Sequence, residues 1–265
     1  MSNVSEVLAR TKAEGRAALI GYLPAGFPTV DQSIQAMVAV AEAGADIIEV
    51  GLPYTDPLMD GPVIQNAATK ALEGGVRVSN VFDAAKAITD AGCAAVVMTY
   101  WNPVLRYGVE KFAADLEVSG ASGLITPDLV PDEGADWIAA SDARGLDRIF
   151  LVAPSSTPER LASTTAAARG FVYAASLMGV TGARASVGEA AQVLVERTRE
   201  VTDLPICVGL GVSTPAQASQ VAQFADGVIV GSALVRCLLE SESFEAGLQE
   251  LRELTRELAA AVRRS

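Results

Sequence analysis

Two acidic residues, Glu49 and Asp60, stand eleven positions apart and are the most informative pair in the chain. Glu49 lies at the end of an apolar, β-branched run, Ile47-Ile48-Glu49-Val50, which predicts a carboxylate at the edge of a hydrophobic core. Asp60 precedes Gly61-Pro62 in a loop that can fold back over the end of that run. Carboxylates in different surroundings hold different pKa values, so one can exchange protons while the other stays ionised. The chain has no histidine, so proton chemistry would depend on carboxylates or tyrosines.

Three glycine motifs late in the chain form a second group. Gly182, Gly211 and Gly231-Ser232 each follow an apolar run. Glycine lets the backbone approach an anion closely, and the N–H groups at a helix N-terminus bind phosphate. The residues after Gly231 are typical of the first turn of a helix, with the Ser232 hydroxyl as an additional donor. These motifs predict a phosphate site, although each could also serve only as a turn.

The remaining residues near these groups are aromatic or aliphatic, and they predict a flat apolar pocket. That pocket would be lined by Tyr22, Tyr100, Ile125 and Leu210. No lysine falls at the end of an apolar run, which disfavours a Schiff-base aldolase. Without histidine, the usual ligands of catalytic zinc or iron are missing. The residues therefore predict a site without metal or cofactor, acting on a phosphorylated small molecule with a flat apolar part.

Eight short apolar runs supply the strands that would position these residues. They span 18–23, 46–51, 95–100, 123–128, 148–153, 171–176, 206–211 and 227–231. The runs are continuous rather than alternating, which is typical of strands covered on both faces of a parallel sheet. Amphipathic stretches predict helices at 31–43, 63–72, 79–91, 109–119, 158–168, 187–201, 215–223 and 244–262.

Eight β/α units in 265 residues predict one closed (β/α)8 barrel domain, residues 1–265, with extra N-terminal, loop-2 and C-terminal helices. Functional residues of such barrels lie where strands end and the following loops begin. Glu49, Gly211 and Gly231 fall at those places, as does Tyr100. A doubly wound open sheet is the alternative. It would usually carry a Gly-rich fingerprint after its first strand, which Gly21–Gly26 does not match.

The composition excludes several classes of partner. With 20 basic and 32 acidic residues the formal charge is −12, which repels nucleic acid and anionic lipid. No apolar run is long enough to span a membrane, and no basic segment precedes an apolar one at the start. Cys93, Cys207 and Cys237 lie in apolar surroundings and predict reduced thiols of a cytoplasmic protein. Cys207 could be a nucleophile, but no histidine is available to activate it.

The acids also have structural interpretations. Glu49 could form an ion pair in the mouth of the barrel, although no Lys or Arg lies within ten residues of it. Asp60 could hold an Asx-type turn before Gly61-Pro62. Asp56 is expected to be a turn or surface residue. Asp128 could be catalytic or could bind loop amides.

Taken together, these motifs closely resemble those of the tryptophan synthase α subunits. The resemblance covers nearly the whole chain and rests on residues 21–28, 49–62, 98–103, 127–129, 179–182 and 209–213. It implies a (β/α)8 barrel that cleaves indole-3-glycerol phosphate to indole and glyceraldehyde 3-phosphate. It also implies an α2β2 assembly with a β subunit that carries pyridoxal phosphate, and no cofactor in this chain.

The resemblance assigns roles by position. It makes Glu49 and Asp60 the catalytic pair and Tyr173 an active-site tyrosine. It gives Gly182, Gly211, Gly231 and Ser232 to the phosphate, and Tyr22, Tyr100, Ile125 and Leu210 to the indole pocket. Thr181 is expected to meet Asp60 when its loop closes. Docking of the β subunit is expected on the face with Pro53, Asp56, Pro57, Asn102 and Pro131.

Two departures from the family pattern and three rival functions remain. Leu177-Met178 replaces a frequent basic residue in loop six, and Val130-Pro131 reverses a more usual order. The chain could instead be a phosphosugar isomerase or epimerase on the same barrel. It could be a ligand-binding or partner-activating barrel without chemistry, or a stand-alone lyase that releases indole.

Overall fold

The computed structural model describes residues 3–175, 187–209 and 211–263, in which strands and helices alternate. The strands are Ala18–Pro24 (β1), Ile47–Gly51 (β2), Ala94–Met98 (β3), Gly123–Ile125 (β4), Asp147–Ile149 (β5), Leu151–Val152 (β6), Val172–Ala175 (β7), Ile206–Gly209 (β8) and Gly227–Val230 (β9). The helices are Val4–Ala13 (α1), Val30–Glu42 (α2), Pro62–Glu73 (α3), Ser79–Asp90 (α4), Trp101–Tyr107 (α5), Val109–Val118 (α6), Ala135–Arg144 (α7), Pro158–Ala167 (α8), Val187–Arg199 (α9), Pro215–Ala222 (α10), Ser232–Leu239 (α11) and Phe244–Ala261 (α12), with a 3-10 turn at Pro131–Glu133.

The nine strands of the described residues form one parallel sheet in the order β5-β4-β3-β2-β1-β9-β8-β7-β6. The first and last strands of that order, β5 and β6, are separated in the chain only by Phe150. The sheet therefore closes on itself, and the predicted (β/α)8 barrel is confirmed. The predicted fifth strand is divided in two at Phe150, whose side chain is buried in the layer between sheet and helices.

Successive strand residues point alternately into the barrel and toward the helices. The interior cluster contains Ile47, Val96, Ile125 and Phe171, while Ile48 and Val97 belong to the outer layer against the helices. Side chains of α1 close the amino end of the interior cluster. Glu49 follows Ile47 by two residues, so it shares the inward face.

Two helices lie where the apolar pattern predicts none. Helix α5 follows β3 directly, with only Val104 fully buried, and α7 buries Trp137 together with the small residues Ala140 and Ser141. Both helices therefore lack the wide apolar stripe by which an amphipathic helix is recognised in a sequence. The start of α5 matters for the site, because it directly follows Tyr100.

Candidate active site

Glu49 is a buried acid in the middle of the barrel sheet. It lies in β2, paired with Tyr22 of β1 on one side and Val96 of β3 on the other. The residue is 1% exposed, and its Oε2 atom finds no hydrogen-bond partner within the described residues. Burial, and then the charge of Asp60, raise the pKa of Glu49 to about 8. Glu49 is therefore a neutral acid at pH 7, as proton exchange requires, and it makes no ion pair with the described residues.

Asp60 is held over this strand end by Tyr100. The Tyr100 hydroxyl donates to Asp60 Oδ1 at 3.2 Å and accepts the Met59 N–H at 3.0 Å. Burial raises the pKa of Asp60, and the hydrogen bond from Tyr100 acts in the opposite direction. The hydroxyl therefore helps to keep this carboxylate ionised beside a neutral one. Gln65 Nε2 also donates to the Asp60 carbonyl oxygen, at 2.7 Å.

Tyr22 connects the acids to the far side of the site. Burial, and then the charges of Asp60 and Glu49, raise the pKa of Tyr22 well above its usual value, so all three lie close together. The ring lies against Gly51, where a Cβ atom would come within 2.4 Å of the hydroxyl oxygen. A Cβ at Gly231 would lie 3.4 Å from Cδ1 of the same ring. One side chain thus reaches from the acid pair to the start of α11.

Tyr173 occupies a similar position across the barrel. It lies in β7, paired with Cys207 of β8, and its ring packs against Gly209. A Cβ atom at Gly209 would come within 2.3 Å of the Tyr173 hydroxyl oxygen. Burial, and then the charge of Glu49, raise the pKa of Tyr173 well above its usual range. Tyr173 is therefore a neutral hydroxyl close to Glu49.

The floor of the site is apolar. Ile125, at the end of β4, is fully buried in the interior cluster, with Met98 and Leu151 packed against it. These side chains provide no charge or hydrogen bond to compete with the two acids. They can contact a flat apolar group.

The start of α11 provides the expected anion corner. Gly231 is its N-cap, Ser232 is its first residue, and no side chain caps it. Gly211 follows β8, which pairs with β9, and has a φ of 66°, a left-handed conformation that favours glycine. The loop after β9, which carries Gly231, and the loop after β8, which carries Gly211, therefore lie at the same edge of the barrel. No side chain caps the N–H groups in the first turn of α11, so these groups can bind a phosphate.

Three expected site residues, Thr181, Gly182 and Leu210, lie outside the described residues, as does Leu177-Met178. The structure brings together Glu49, Asp60, Tyr22, Tyr100 and Tyr173. Gly51 and Gly209 were not among the predicted site residues, because the prediction of functional glycines depended on their ability to bind phosphate. Their positions at the ends of apolar runs were the available signal. Asp128 binds a backbone amide: both its oxygens accept the N–H of Trp101, the first residue of α5, at 2.9 and 3.1 Å.

Other predicted features can be placed in the described ranges. Cys93, Cys207 and Cys237 are free, and burial raises the pKa of the Cys207 thiol well above its usual value. No described cluster of three or more His, Cys, Asp or Glu side chains has a metal-binding arrangement. None of the described helices combines the length and apolar character needed to cross a membrane.

The arrangement can transfer protons on a substrate with two different ends. The neutral carboxyl group of Glu49, the carboxylate of Asp60 and three tyrosines lie over an apolar floor, and the uncapped start of α11 lies at the other end of Tyr22. The fold and these groups together define a (β/α)8-barrel enzyme.

Comparison with known proteins narrows that class to one family. The family model for the tryptophan synthase alpha chain matches residues 8–263. The alpha chain of Thermobifida fusca is 59% identical over 99% of this chain and 98% of its own length, and that of Mycobacterium marinum is 62% identical over 95% and 91%. A structure of Mycobacterium tuberculosis tryptophan synthase has 61% identity and a TM-score of 0.92, covering 100% of this chain and 99% of that one. An alpha-subunit mutant from Pyrococcus furiosus has 32% identity and a TM-score of 0.84, with 93% and 99% covered.

The chain belongs to the tryptophan synthase alpha chain family. It is a carbon–carbon lyase of tryptophan biosynthesis, and the reaction is the cleavage of indole-3-glycerol phosphate.

Proposed function

We propose that Glu49 carries the proton chemistry of this cleavage. The reaction breaks the bond between indole C3 and the C3′ carbon of the glycerol phosphate chain. Neutral Glu49 first donates its proton to indole C3, which gives an indolenine-like leaving group. As the carbon–carbon bond breaks, its electron pair returns to the ring, and the C3′ hydroxyl becomes the aldehyde. The Glu49 carboxylate takes the hydroxyl proton, so Glu49 returns to its neutral state.

Asp60 has a separate role in this proposal. It remains ionised, accepts the indole N–H bond and stabilises the positive charge that develops on the ring when C3 is protonated. The Tyr100 hydroxyl holds Oδ1 of Asp60 in place. Tyr173, a neutral hydroxyl close to Glu49, serves as a hydrogen-bonding active-site residue.

The two ends of the substrate then occupy the two ends of the site. The indole ring lies over Ile125 between Tyr22 and Tyr100, with Leu210 as a further wall. The phosphate binds at the start of α11, on Gly231 and Ser232, with Gly211 and Gly182 completing its site and Thr181 meeting Asp60. The apolar floor favours this ligand over a simple phosphosugar, because a phosphosugar has no apolar ring to contact the floor.

The observation that carries the proposal is the state of Glu49. A carboxyl group that is 1% exposed and has an oxygen without a hydrogen-bond partner among the described residues is costly to a fold unless it serves a function. Its raised pKa follows from that burial and matches the first step, which needs a proton donor.

Replacing this acid by its amide tests the assignment. Glu49→Gln keeps the size of the side chain but exchanges no proton, so turnover should fall by roughly 10²- to 10⁴-fold. Substrate should still bind, because the apolar floor and the phosphate corner are unchanged. Single-turnover indole release gives the rate, and calorimetry with the uncleaved substrate gives the binding constant. Glu73→Gln, at the end of α3, is the matched control. Wild-type turnover by Glu49→Gln would end the assignment.

We further propose that the chain works as the α subunit of an α2β2 tryptophan synthase. The β subunit would hold pyridoxal phosphate and condense the released indole, so no cofactor is assigned to this chain. One relative is a Mycobacterium tuberculosis tryptophan synthase in an aminoacrylate-bound form. The assembly would work in the cytoplasm, which suits three free thiols. Residues 1–265 would act as one barrel domain.

A further inference from the structure

Tyr100 holds loop two, the segment 52–61 between β2 and α3, over the barrel. Besides its bonds to Met59 and Asp60, its ring packs against Tyr54 with centroids 5.5 Å apart. Asn102, in the first turn of α5, donates from Nδ2 to the Tyr54 hydroxyl at 3.0 Å. The orientation of the Asp60 carboxylate therefore depends on where α5 begins.

The start of α5 is fixed from another loop. Its N-cap residue is Tyr100, which makes no side-chain cap of its own. Asp128, in the loop after β4, supplies the missing cap with both carboxylate oxygens on the Trp101 N–H. The next residue, Leu129, is buried, which anchors the loop that carries Asp128. A chain of contacts thus runs from Asp128 through the Trp101 amide and the Tyr100 hydroxyl to Asp60.

We propose that Asp128 is a positioning residue for the cleavage reaction: it fixes the start of α5, and through Tyr100 it sets the orientation of the Asp60 carboxylate. The inference rests on the proposed function, because it matters only if Asp60 acts on the substrate. Asp128 itself touches no reacting atom in this scheme. Its effect should be on the rate of the chemical step, since a small misplacement of a catalytic group slows that step strongly.

The groups that face Asp60 in the described structure are Tyr100 at the N-cap of α5, Tyr22 from β1, Glu49 from β2 and Tyr173 from β7. Of these, Tyr100 is the one that hydrogen-bonds to the Asp60 carboxylate. That bond lowers the pKa of Asp60 against the effect of burial. If Tyr100 shifts, this hydrogen bond is weakened and the pKa of Asp60 rises. The acid limb of the pH–rate profile, on which activity increases with pH, then moves to higher pH.

Three variants of one loop test the chain of contacts. Asp128→Ala removes both acceptor oxygens, and kcat should fall about tenfold with KM within about twofold of wild type, together with the shift of the acid limb. Asp128→Asn keeps one acceptor oxygen for the Trp101 amide and should recover most of the rate, because asparagine is also a good N-cap. Asp132→Ala is the matched control. It removes an exposed aspartate of the same loop that pairs with Arg160, and it should leave kcat and the pH profile unchanged.

Combining substitutions shows whether Asp128 acts through Tyr100. In the Tyr100→Phe background, Asp128→Ala should cost less than twofold, since the hydroxyl it positions is gone. If the rate losses caused by Asp128→Ala and Tyr100→Phe multiply in the double variant, the two residues act independently and the inference is overturned. An Asp128→Ala enzyme with the same kcat and pH profile as the Asp132→Ala control would also overturn it. Thermal unfolding of each variant confirms that rates are measured on folded protein. If Glu49→Gln retains wild-type turnover, the proposed function fails, whatever the Asp128 variants do.

Discussion

At the scale of single residues, the chemistry depends on two carboxylates in contrasting states. Glu49 is deeply buried and neutral at pH 7, whereas Asp60 is partly buried and receives a hydrogen bond from Tyr100. The charge of Asp60 contributes to the raised pKa of Glu49. The pair is therefore coupled: an ionised Asp60 helps to keep the proton on Glu49.

This coupling predicts the alkaline side of the pH–rate profile. Activity should fall as pH rises through about 8, because Glu49 loses the proton that it donates first. In Asp60→Asn the neighbouring charge is gone, so the pKa of Glu49 falls and the alkaline limb moves to lower pH, with a reduced maximum rate. The measurement is kcat/KM from pH 5 to 10, which reports on the free enzyme.

Titration of the substrate phosphate does not interfere with this measurement, because the second pKa of a phosphate ester is about 6, below the alkaline limb. An alkaline limb at the same pH in wild type and Asp60→Asn would show that Asp60 has no influence on Glu49. A limb that moved to higher pH would contradict the proposed effect of the Asp60 charge on the pKa of Glu49.

At the scale of secondary structure elements, neighbouring strands supply a tyrosine and the glycine beneath it. Tyr22 of β1 lies on Gly51 of β2, and Tyr173 of β7 lies on Gly209 of β8. In both cases the strand needs a residue without a side chain so that the ring can lie flat against its neighbour. Gly51 and Gly209 therefore leave the space that the Tyr22 and Tyr173 rings occupy.

Gly51→Ala should disturb the site through this contact. The new Cβ atom would meet the Tyr22 ring at 2.4 to 2.6 Å, so the ring must move. We expect a loss of roughly 1 to 3 kcal/mol in the free energy of unfolding. We also expect a fall of about tenfold or more in kcat/KM, because Tyr22 borders both the acids and Gly231. Urea unfolding and steady-state kinetics measure the two effects.

The control for this substitution is Gly188→Ala in α9. A Cβ atom there meets nothing within 4 Å, and alanine is favoured over glycine in a helix by roughly 1 kcal/mol. That variant should be equally or more stable and fully active. If Gly51→Ala behaves in the same way, the Tyr22 ring adjusts freely and does not define the site.

At the scale of the whole molecule, Glu49 links catalysis to stability. Its pKa is about 4.5 when exposed and about 8 in the folded protein. Between these values the folded state holds a proton that the unfolded chain has released, so the free energy of unfolding falls as pH rises. The contribution is fully present below about pH 4.5 and is lost by the time pH passes 8. Its size is roughly 3 to 5 kcal/mol.

Glu49→Gln should remove this dependence. Urea unfolding at several pH values from 5 to 8 should show the variant gaining stability relative to wild type as pH rises. Other titrating groups, such as Asp147 with a pKa raised to about 6 by burial, are present in both proteins and cancel in the comparison. A stability difference that stays constant with pH would mean that Glu49 is not a buried neutral acid.

The partner surface is also a property of the whole barrel. Loop two, α5 and the loop after β4 expose Leu58, Leu105 and Val130 around the site, on the face where the proposed β subunit would dock. Leu58 is 77% exposed, and it lies beside Pro57. Apolar side chains exposed together at one edge are typical of a protein interface.

Leu58→Ser should therefore weaken binding of a β subunit about tenfold, equivalent to about 1.4 kcal/mol. Val118→Ser is the control, because Val118 is 83% exposed at the end of α6, on the opposite side of the barrel. Calorimetric titration of each variant with a purified β subunit gives the dissociation constants. Equal constants for the two variants would place the docking surface elsewhere.

Much of this architecture was predictable because it depends on local patterns. Continuous apolar runs identified the strand positions of a parallel barrel, and the places where those runs end identified Glu49, Tyr100 and Gly231. The division of the fifth strand at Phe150 was not predictable, since the residues on both sides of Phe150, from Ile149 to Val152, are apolar without a break. Helices α5 and α7 were missed because they bury few or small residues.

By itself, the sequence determined which chemical groups the protein has and at which strand ends they lie, because continuous apolar runs mark the buried strands of a parallel barrel. Only the tertiary structure decided how those groups act on one another. The pKa of Glu49, the bond from Tyr100 to Asp60 and the cap that Asp128 places on α5 all arise between residues from different β/α units. Burial and electrostatic interaction depend on distance in space, and closure of the barrel sets that distance.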